Sequence, residues 1–247
     1  MAQGQEGLGE QALNKAVEIG LSSQLDEVED LDVHVKTDPF KVLGGEVDSV
    51  EIQGKGMVMQ KDLRAEEMSV QTGKIAINPL SAAFGKIELT QATEANAHVV
   101  LKEEDINRAF NSEFVREKLQ NLEVQFDGKP TTIDTRQVEF HLPGDSKVAL
   151  RAEIVLRETN ETKQVAFSAV PSKSPDGYSV ALENVEYSEG KDLSPDLTET
   201  LLQKTSELLD LRNFELEGMS LRLKSLDVQE GKMTLEAQAH VEQFPSQ

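Results

Sequence analysis

The fold is indicated most clearly by the segment Val148-Ala149-Leu150-Arg151-Ala152-Glu153-Ile154-Val155-Leu156. In this segment an apolar side chain occupies every second position. Such alternation is typical of an antiparallel strand that buries one face. Beyond the turn residues Thr159-Asn160-Glu161 the alternation returns at Val165, Phe167 and Ala169. The two segments therefore predict an antiparallel hairpin at the centre of a β-rich protein.

The period of two extends outward from this hairpin in both directions. Further strands are predicted at residues 33–35, 50–58, 62–77, 87–101, 122–142, 178–187, 214–228 and 233–241. Within residues 62–77 the apolar positions change parity twice, between Ala65 and Met68 and between Val70 and Ile75. One extra residue at each change predicts a β-bulge, and bulged strands curve and coil.

Three segments instead have the period of an amphipathic helix. The first places Leu13, Val17 and Leu21 on one face. The second opens with Glu103-Glu104-Asp105, whose charges complement the helix macrodipole. The third opens with Ser194-Pro195-Asp196, in the order of N-cap, proline at the first helical position and acidic first turn.

Together these patterns predict an α+β fold that is mostly β, with long curved antiparallel strands and about three amphipathic helices. Single helical turns are expected at residues 39–45 and 78–85. The first begins at a proline, the second begins at the residue before a proline, and both end at a glycine. We expect residues 1–27 to form an N-terminal amphipathic helix. Residues 28–247 are then a single elongated β-rich domain.

The charge of the chain excludes several classes of partner. With 45 acidic and 25 basic residues the formal net charge is -20, and the lysines and arginines do not cluster. Phosphate backbones and anionic membrane surfaces would repel such a protein, so we expect no nucleic-acid partner and no polybasic docking. Aromatic residues make up only 4% and tryptophan is absent, so the apolar surfaces are aliphatic.

No known catalytic or metal-binding pattern occurs in the sequence. Cysteine is absent, and His34, His98, His141 and His240 lie far apart in strand-like segments, without metal-ligand spacing. The nucleophile motif GxSxG is also missing. Adjacent acids are expected by chance in so acidic a chain. We therefore predict that the protein is not an enzyme and needs neither metal nor cofactor.

The ends and hydropathy of the chain bear on its location. Residues 1–10 lack the basic start and apolar run of a signal peptide, and no stretch approaches the roughly 18 apolar residues of a membrane span. We expect a cytoplasmic protein that contacts a membrane peripherally at most. The apolar stripe of the first helix either docks on the body of the protein or binds a membrane or protein partner.

Four short segments resemble a known family. They are Asp38-Pro39-Phe40-Lys41-Val42-Leu43-Gly44-Gly45-Glu46-Val47, Ala76-Ile77-Asn78-Pro79-Leu80, Leu101-Lys102-Glu103-Glu104-Asp105-Ile106-Asn107 and Leu216-Glu217-Gly218-Met219-Ser220-Leu221. The family is the phospholipid-binding one typified by the mycobacterial lipomannan elongation factor, and the chain is similar to its cyanobacterial branch. The resemblance implies a cone-like fold related to the tubular lipid-binding proteins, with an apolar cavity for acyl chains.

The resemblance suggests non-catalytic binding or transfer of phospholipid or glycolipid acyl chains. Candidates for the cavity or its mouth are apolar residues of the single turns and of the second and third helices: Phe40, Leu43, Leu80, Phe84, Ile106, Phe110, Phe114, Leu197, Leu201 and Leu208. The alternative is an acidic interaction or assembly scaffold at a membrane surface. Periodicity alone does not distinguish a hollow core from a filled one.

Overall fold

The computed structural model describes most of the chain. The described residues are 8–23, 25–38, 40–41, 44–59, 62–78, 80–81, 88–126, 128–187, 197, 199, 202, 210–214 and 218–243. The helices are α1 (Leu8–Ser22), α2 (Glu103–Phe110) and α3 (Glu113–Lys118), with a 3₁₀ helix at Leu211–Phe214.

Thirteen strands lie in the described residues. They are β1 (Asp30–Lys36), β2 (Glu46–Val47), β3 (Ser49–Met59), β4 (Leu63–Thr72), β5 (Ile75–Ala76), β6 (Thr93–Lys102), β7 (Leu122–Phe126), β8 (Lys129–Gly144), β9 (Lys147–Leu156), β10 (Glu161–Lys173), β11 (Val180–Tyr187), β12 (Met219–Gln229) and β13 (Lys232–Val241). The predicted α+β, mostly β class is confirmed.

The strands form three antiparallel sheets. The large sheet has the order β1-β3-β4-β6-β13-β12, and the second sheet has the order β11-β10-β9-β8-β7. This five-stranded sheet is strongly curled into a half-barrel. The small ladder consists of β2 and β5 alone. Sequence neighbours pair in most places, so the topology is dominated by hairpins.

The predicted hairpin forms the centre of the half-barrel. Ala152 pairs with Val165 and Leu150 pairs with Phe167, so the apolar side chains of both strands share one face. That face is buried together with a residue from the third predicted helix: Val124, Ile133, Ile154, Leu156, Val165, Phe167, Ala169 and Leu197 form one core cluster. The inside of the half-barrel is thus a filled core around these residues.

Helix α1 packs on the outer edge of the large sheet. Val17 and Leu21 contact the buried cluster that contains Val33 and Val35. Asn14 Oδ1 accepts a hydrogen bond of 2.7 Å from the backbone N–H of Val35, on the side of β1 that faces no other strand. The helix therefore covers an edge that would otherwise offer unpaired backbone groups.

The other predicted helices are found where the structure describes them. Helix α2 has Glu103, Glu104 and Asp105 in its first turn, and Ser112 Oγ caps α3 by accepting a hydrogen bond from the Val115 N–H. Leu197, Glu199 and Leu202 are helical, which agrees with the third helix. Its predicted start at residues 194–196 lies outside the described residues.

The bulges predicted in residues 62–77 are wrong. The β3–β4 register continues unshifted past Gly56, whose φ of +57° turns the strand without an extra residue. The second change of parity marks the point where the chain leaves β4 and joins β5 in the small ladder. Register shifts occur instead in β8, β10 and β12. A glycine with a positive φ and a change of sheet can both shift which alternate positions are apolar, and a bulge produces the same pattern in the sequence.

The filled half-barrel gives the first testable prediction. Ile154 is fully buried, so Ile154→Ala should lower the free energy of unfolding by about 3 kcal/mol through lost burial and the cavity left behind. Arg151→Ala, at an exposed position of the same strand, should change it by less than about 0.5 kcal/mol. Urea unfolding followed by circular dichroism measures both values, and equal effects would contradict a packed core.

Candidate functional site

One face of the large sheet is aliphatic across all six strands. Residues paired between antiparallel strands point their side chains to the same side of a sheet. One row of such pairs crosses the sheet in the order Val33, Ile52, Val70, Ala97, Ala237 and Leu223. The next row consists of Leu31, Gly54, Met68, Val99, Leu235 and Leu226. We name this surface the aliphatic face.

Burial is uneven over the aliphatic face, and Ala95 and Ala239, towards one end of its central strands, are each only 7% exposed. Val33 on β1 and Leu223 on β12 are only 2% and 5% exposed. Between them Val70, Val99 and Leu235 are half-buried. A filled core would bury its central residues most completely, as the half-barrel does. The middle of the aliphatic face therefore keeps apolar surface within reach of a ligand.

Other elements border this face on several sides. Helix α1 lies at β1, and Leu89 and Ile77 join the buried cluster at the end near the small ladder. At the opposite end Ile106 and Phe110 of α2 pack against the cluster of Phe140, Leu142, Val148 and Val228. This last cluster joins the half-barrel to β12. The borders give the aliphatic face the form of a trough.

The reverse face of the large sheet is polar. His34, His98 and His240 lie there, with side chains 41%, 43% and 44% exposed. Each of the three lies within salt-bridge distance of a carboxylate, for example His98 Nδ1 at 2.5 Å from Glu236 Oε1. The prediction that these histidines are solvent-facing strand residues is confirmed. The large sheet thus places these three histidines on the side opposite its aliphatic surface.

The residues predicted from the helices occupy different surroundings. Ile106 and Phe110 are half-buried at the α2 border, where the Phe110 and Phe140 rings stack with centroids 5.8 Å apart. Phe114 is half-buried in α3, and Lys118 Nζ lies 4.9 Å from its ring centroid. Leu197 is fully buried in the half-barrel core. The structure brings only Ile106 and Phe110 to the border of the aliphatic face.

The residues predicted from the turns are not part of that border. Phe40 is 84% exposed and Leu80 is 75% exposed. The remaining four candidates, Leu43, Phe84, Leu201 and Leu208, lie outside the described residues. Whether any of the ten contacts a lipid stays a prediction.

Sequence reasoning missed the residues at the centre of the trough. Met68, Val70, Val99 and Leu235 were assigned to strands but not to a site. The available signal was the aliphatic parity that recurs in consecutive strands of the large sheet. Only the strand order β4-β6-β13 places these residues side by side, and about two thirds of the chain separates β13 from β4.

A cluster of charged residues connects α2 to the large sheet through ion pairs. The Asp105 carboxylate is only 4% exposed and accepts hydrogen bonds of 2.9 and 3.1 Å from Arg64 Nη1 on β4. Arg64 also pairs with Glu66 and Glu29 at 2.8 Å each. Lys102 Nζ lies 2.7 Å from the second oxygen of Glu66. We name these five residues the charged clamp.

The clamp shifts the ionisation of its members. The hydrogen bond from Lys102, and then that from Arg64, lower the pKa of Glu66 below its ordinary value. Hydrogen bonds to Glu29, Glu66 and Asp105 raise the pKa of Arg64. Arg64 and Glu66 are therefore held in their charged forms. The clamp positions the α2 border, and both of its cations, Arg64 and Lys102, are paired with carboxylates.

Two clefts described by the structure have charged side chains in their linings. One, of about 630 Å³, includes Lys102 and Glu230 beside the apolar Leu142. The other, of about 330 Å³, lies on the polar side of the large sheet beside Arg222 and Tyr178. An alkyl chain in either cleft would desolvate these charged groups. In the described part of the chain, no group of three or more acidic or histidine side chains is arranged to hold a metal ion.

Comparison with known proteins identifies the family. The model of LmeA-like phospholipid-binding proteins matches residues 4–238. The chain belongs to this family. The resemblance found in the sequence is thereby confirmed, and lipid binding is the general function that the family carries. Searches of curated proteins and of solved structures each found no match.

Membership of this family agrees with the geometry of the aliphatic face. A phospholipid-binding protein needs an accessible apolar surface that other side chains do not cover completely. The half-buried residues of the trough provide such a surface. Among the helices in the described residues, none is long and apolar enough to cross a membrane. A family member of this kind meets its lipid through the trough or through its outer surface.

The charged clamp yields a stability prediction. Asp105→Ala should lower the free energy of unfolding by about 3 kcal/mol, because it breaks a buried ion pair and leaves Arg64 partly desolvated. Arg136→Ala removes the exposed pair with Glu153 and should change it by less than about 1 kcal/mol. Denaturant unfolding compares the two, and similar values would show that the clamp is only a surface feature.

The lowered pKa of Glu66 predicts a pH dependence. A depressed folded-state pKa means that the unfolded chain binds the proton first, so this stabilisation is complete above the ordinary carboxyl pKa of 4.5. It is lost as the pH falls from there through the folded-state pKa. Glu66→Gln should therefore flatten the acid side of the stability profile. Glu67→Gln, an exposed neighbour on the same strand, should leave the profile unchanged.

Proposed function

We propose that this protein binds phospholipid acyl chains on the aliphatic face and transfers them without a chemical step. The observation that carries the proposal is the half-buried centre of that face, where Met68, Val99 and Leu235 of three adjacent strands lie in one row. A surface this apolar would normally be covered. An acyl chain lying along the strands would cover it.

The dimensions of the face suit such a ligand. Strands β4, β6 and β13 each have 10 residues, and a strand of that length spans about 33 Å. An acyl chain extends through half of a hydrocarbon core of roughly 30 Å, which is about 15 Å. The trough is therefore long enough for one or more extended chains.

The energetics favour reversible loading. An acyl chain of about fifteen methylenes gains on the order of 12 kcal/mol when it leaves water, at about 0.8 kcal/mol per methylene. Transfer from a bilayer to the trough exchanges one aliphatic surface for another and is nearly neutral. A carrier of this kind can load and unload by contact with membranes, and no covalent step is needed.

The titratable groups support a non-catalytic role. His34, His98 and His240 lie on the polar side of the large sheet, and Asp105 and Glu66 are held in the clamp. None of these five stands over the centre of the aliphatic face. The rival function, an assembly scaffold that uses α1, is less well supported because Val17 and Leu21 pack inside the protein.

Filling the trough with a larger side chain tests the proposal. Ala97 is half-buried on the aliphatic face, and its neighbour Asn96 is exposed on the polar face. Ala97→Trp should reduce co-purified lipid, and the affinity for a fluorescent phospholipid, by at least about tenfold. Asn96→Trp should leave both unchanged. Native mass spectrometry and fluorescence titration measure the two properties, with circular dichroism to verify folding.

Two outcomes would contradict acyl binding at this face. A wild-type protein that neither carries nor binds phospholipid would exclude lipid binding altogether. Folded Ala97→Trp protein that binds lipid as the wild type does would exclude the trough as the site.

A further inference from the structure

Two turns present the most exposed large hydrophobic side chains among the described residues. Phe40 is 84% exposed and Leu80 is 75% exposed. Each follows a proline that follows an aspartate or asparagine, in Asp38-Pro39-Phe40-Lys41 and Asn78-Pro79-Leu80-Ser81. The two turns are thus built on one local pattern, although they lie in different parts of the chain.

The Phe40 turn is held by its polar residues. Asp38 Oδ1 accepts a hydrogen bond of 2.8 Å from the Phe40 N–H, and the Asp38 carbonyl accepts one from the Lys41 N–H. Lys41 Nζ in turn lies 2.7 Å from Asp48 Oδ1, beyond the end of β2. The polar side chains point back to the body of the protein, and the phenyl ring is left outside.

The Leu80 turn repeats this construction with different residues. Asn78 Oδ1 accepts hydrogen bonds of 3.1 and 3.4 Å from the N–H groups of Leu80 and Ser81. Ser81 Oγ donates a hydrogen bond of 2.6 Å to Glu88 Oε2. An Asx cap followed by a tethered polar side chain again leaves only the hydrophobic residue exposed.

Both turns leave the same end of the small ladder. Val47 pairs with Ile75 and Glu46 pairs with Ala76, and the Ile77 N–H donates to the Gly45 carbonyl at 2.7 Å. In an antiparallel pair, the chain before one strand and the chain after the other emerge together. The Phe40 turn precedes Gly45 and the Leu80 turn follows Ile77. The two turns therefore emerge from the same end of the ladder, and we name them together the hydrophobic tip.

We propose that this tip inserts into the surface of an uncharged, zwitterionic phospholipid bilayer. Its capping and tethering groups include the carboxylates of Asp38, Asp48 and Glu88, whereas Lys41 is already paired with Asp48. Anionic lipid would repel this arrangement, as it would repel the net charge of -20. Among the described residues, insertion therefore depends on Phe40 and Leu80 and not on charge attraction.

The form of the tip favours a bilayer over a folded partner. A protein interface needs a contiguous surface of about 1,000 Å² with complementary shape. Two protruding side chains, each surrounded by polar groups tied to the backbone, suit a deformable apolar medium better than a rigid one. The tip also lies beside the small ladder, whose Val47 and Ile75 pack at one end of the aliphatic face. Docking there would bring that end of the trough towards the membrane.

This inference rests in part on the proposed lipid binding, because a carrier must meet a membrane to exchange its cargo. The absence of tryptophan from the sequence allows a direct test. Phe40→Trp and Leu80→Trp each create a protein with one tryptophan at the tip. Tyr187→Trp is the matched control, since Tyr187 is 51% exposed at the end of β11 in the half-barrel.

The measurement is quenching of each tryptophan by brominated phosphatidylcholine vesicles. We expect quenching and a blue shift at positions 40 and 80, none at position 187, and no loss of signal at high salt. Vesicles in which part of the phosphatidylcholine is replaced by phosphatidylglycerol should bind less well. The proposal would be overturned by the absence of quenching at positions 40 and 80, or by equal quenching at all three positions. It would also be overturned by a blue shift that appears without vesicles when only the protein concentration is raised.

A binding variant separates this proposal from acyl binding in the trough. Phe40→Ser combined with Leu80→Ser should weaken vesicle binding at least about tenfold, since two apolar side chains no longer leave water. The same variant should bind a fluorescent phospholipid as the wild type does. Unchanged vesicle binding by this variant would refute membrane insertion of the tip but not acyl binding in the trough. If the tryptophans at the tip are quenched but the protein never carries lipid, acyl binding in the trough would be refuted and membrane insertion of the tip would not.

Discussion

The structure depends on one constraint, the antiparallel register that keeps aliphatic side chains in line across six strands. From Val33 on β1 to Leu223 on β12 every strand contributes an apolar residue to the same row. Because side chains alternate along a strand, a slip of one residue in any strand would bring its polar residues into the trough. The register is therefore what keeps the aliphatic residues together on one face of the sheet.

The rest of the molecule maintains that surface without filling it. The half-barrel completes its own core around Ile133, Ile154 and Leu197 and touches the large sheet at β12. Helix α2 is fastened by the buried Asp105–Arg64 pair and so borders the trough at a fixed position. Helix α1 covers the β1 edge. Buried residues lie on the outer strands and at the Ala95 and Ala239 end of the central strands, whereas Val99 and Leu235 are half-buried.

Part of the site could be predicted from the sequence, and the reason differs from residue to residue. Ile106 and Phe110 were found because helical periodicity marks an inward face, and they do border the trough. Leu197 carries the same periodic signal, yet it closes the half-barrel core. Periodicity reports that a side chain is buried, but not which of two cores receives it. Residues 62–77 were misread for a similar reason, since a change in alternation alone does not distinguish a bulge from the passage of the chain into another sheet.

The fold class, the main strands and helices, and the family could be predicted from the sequence, because periodicity, capping residues and short motifs are local properties. The tertiary structure alone decided where the apolar surfaces meet. Met68 on β4, Val99 on β6 and Leu235 on β13 become neighbours only through pairings between distant segments. Likewise, the small ladder alone places Phe40 and Leu80 at one end of the protein. Long-range pairing brings such residues together, and no local pattern records it.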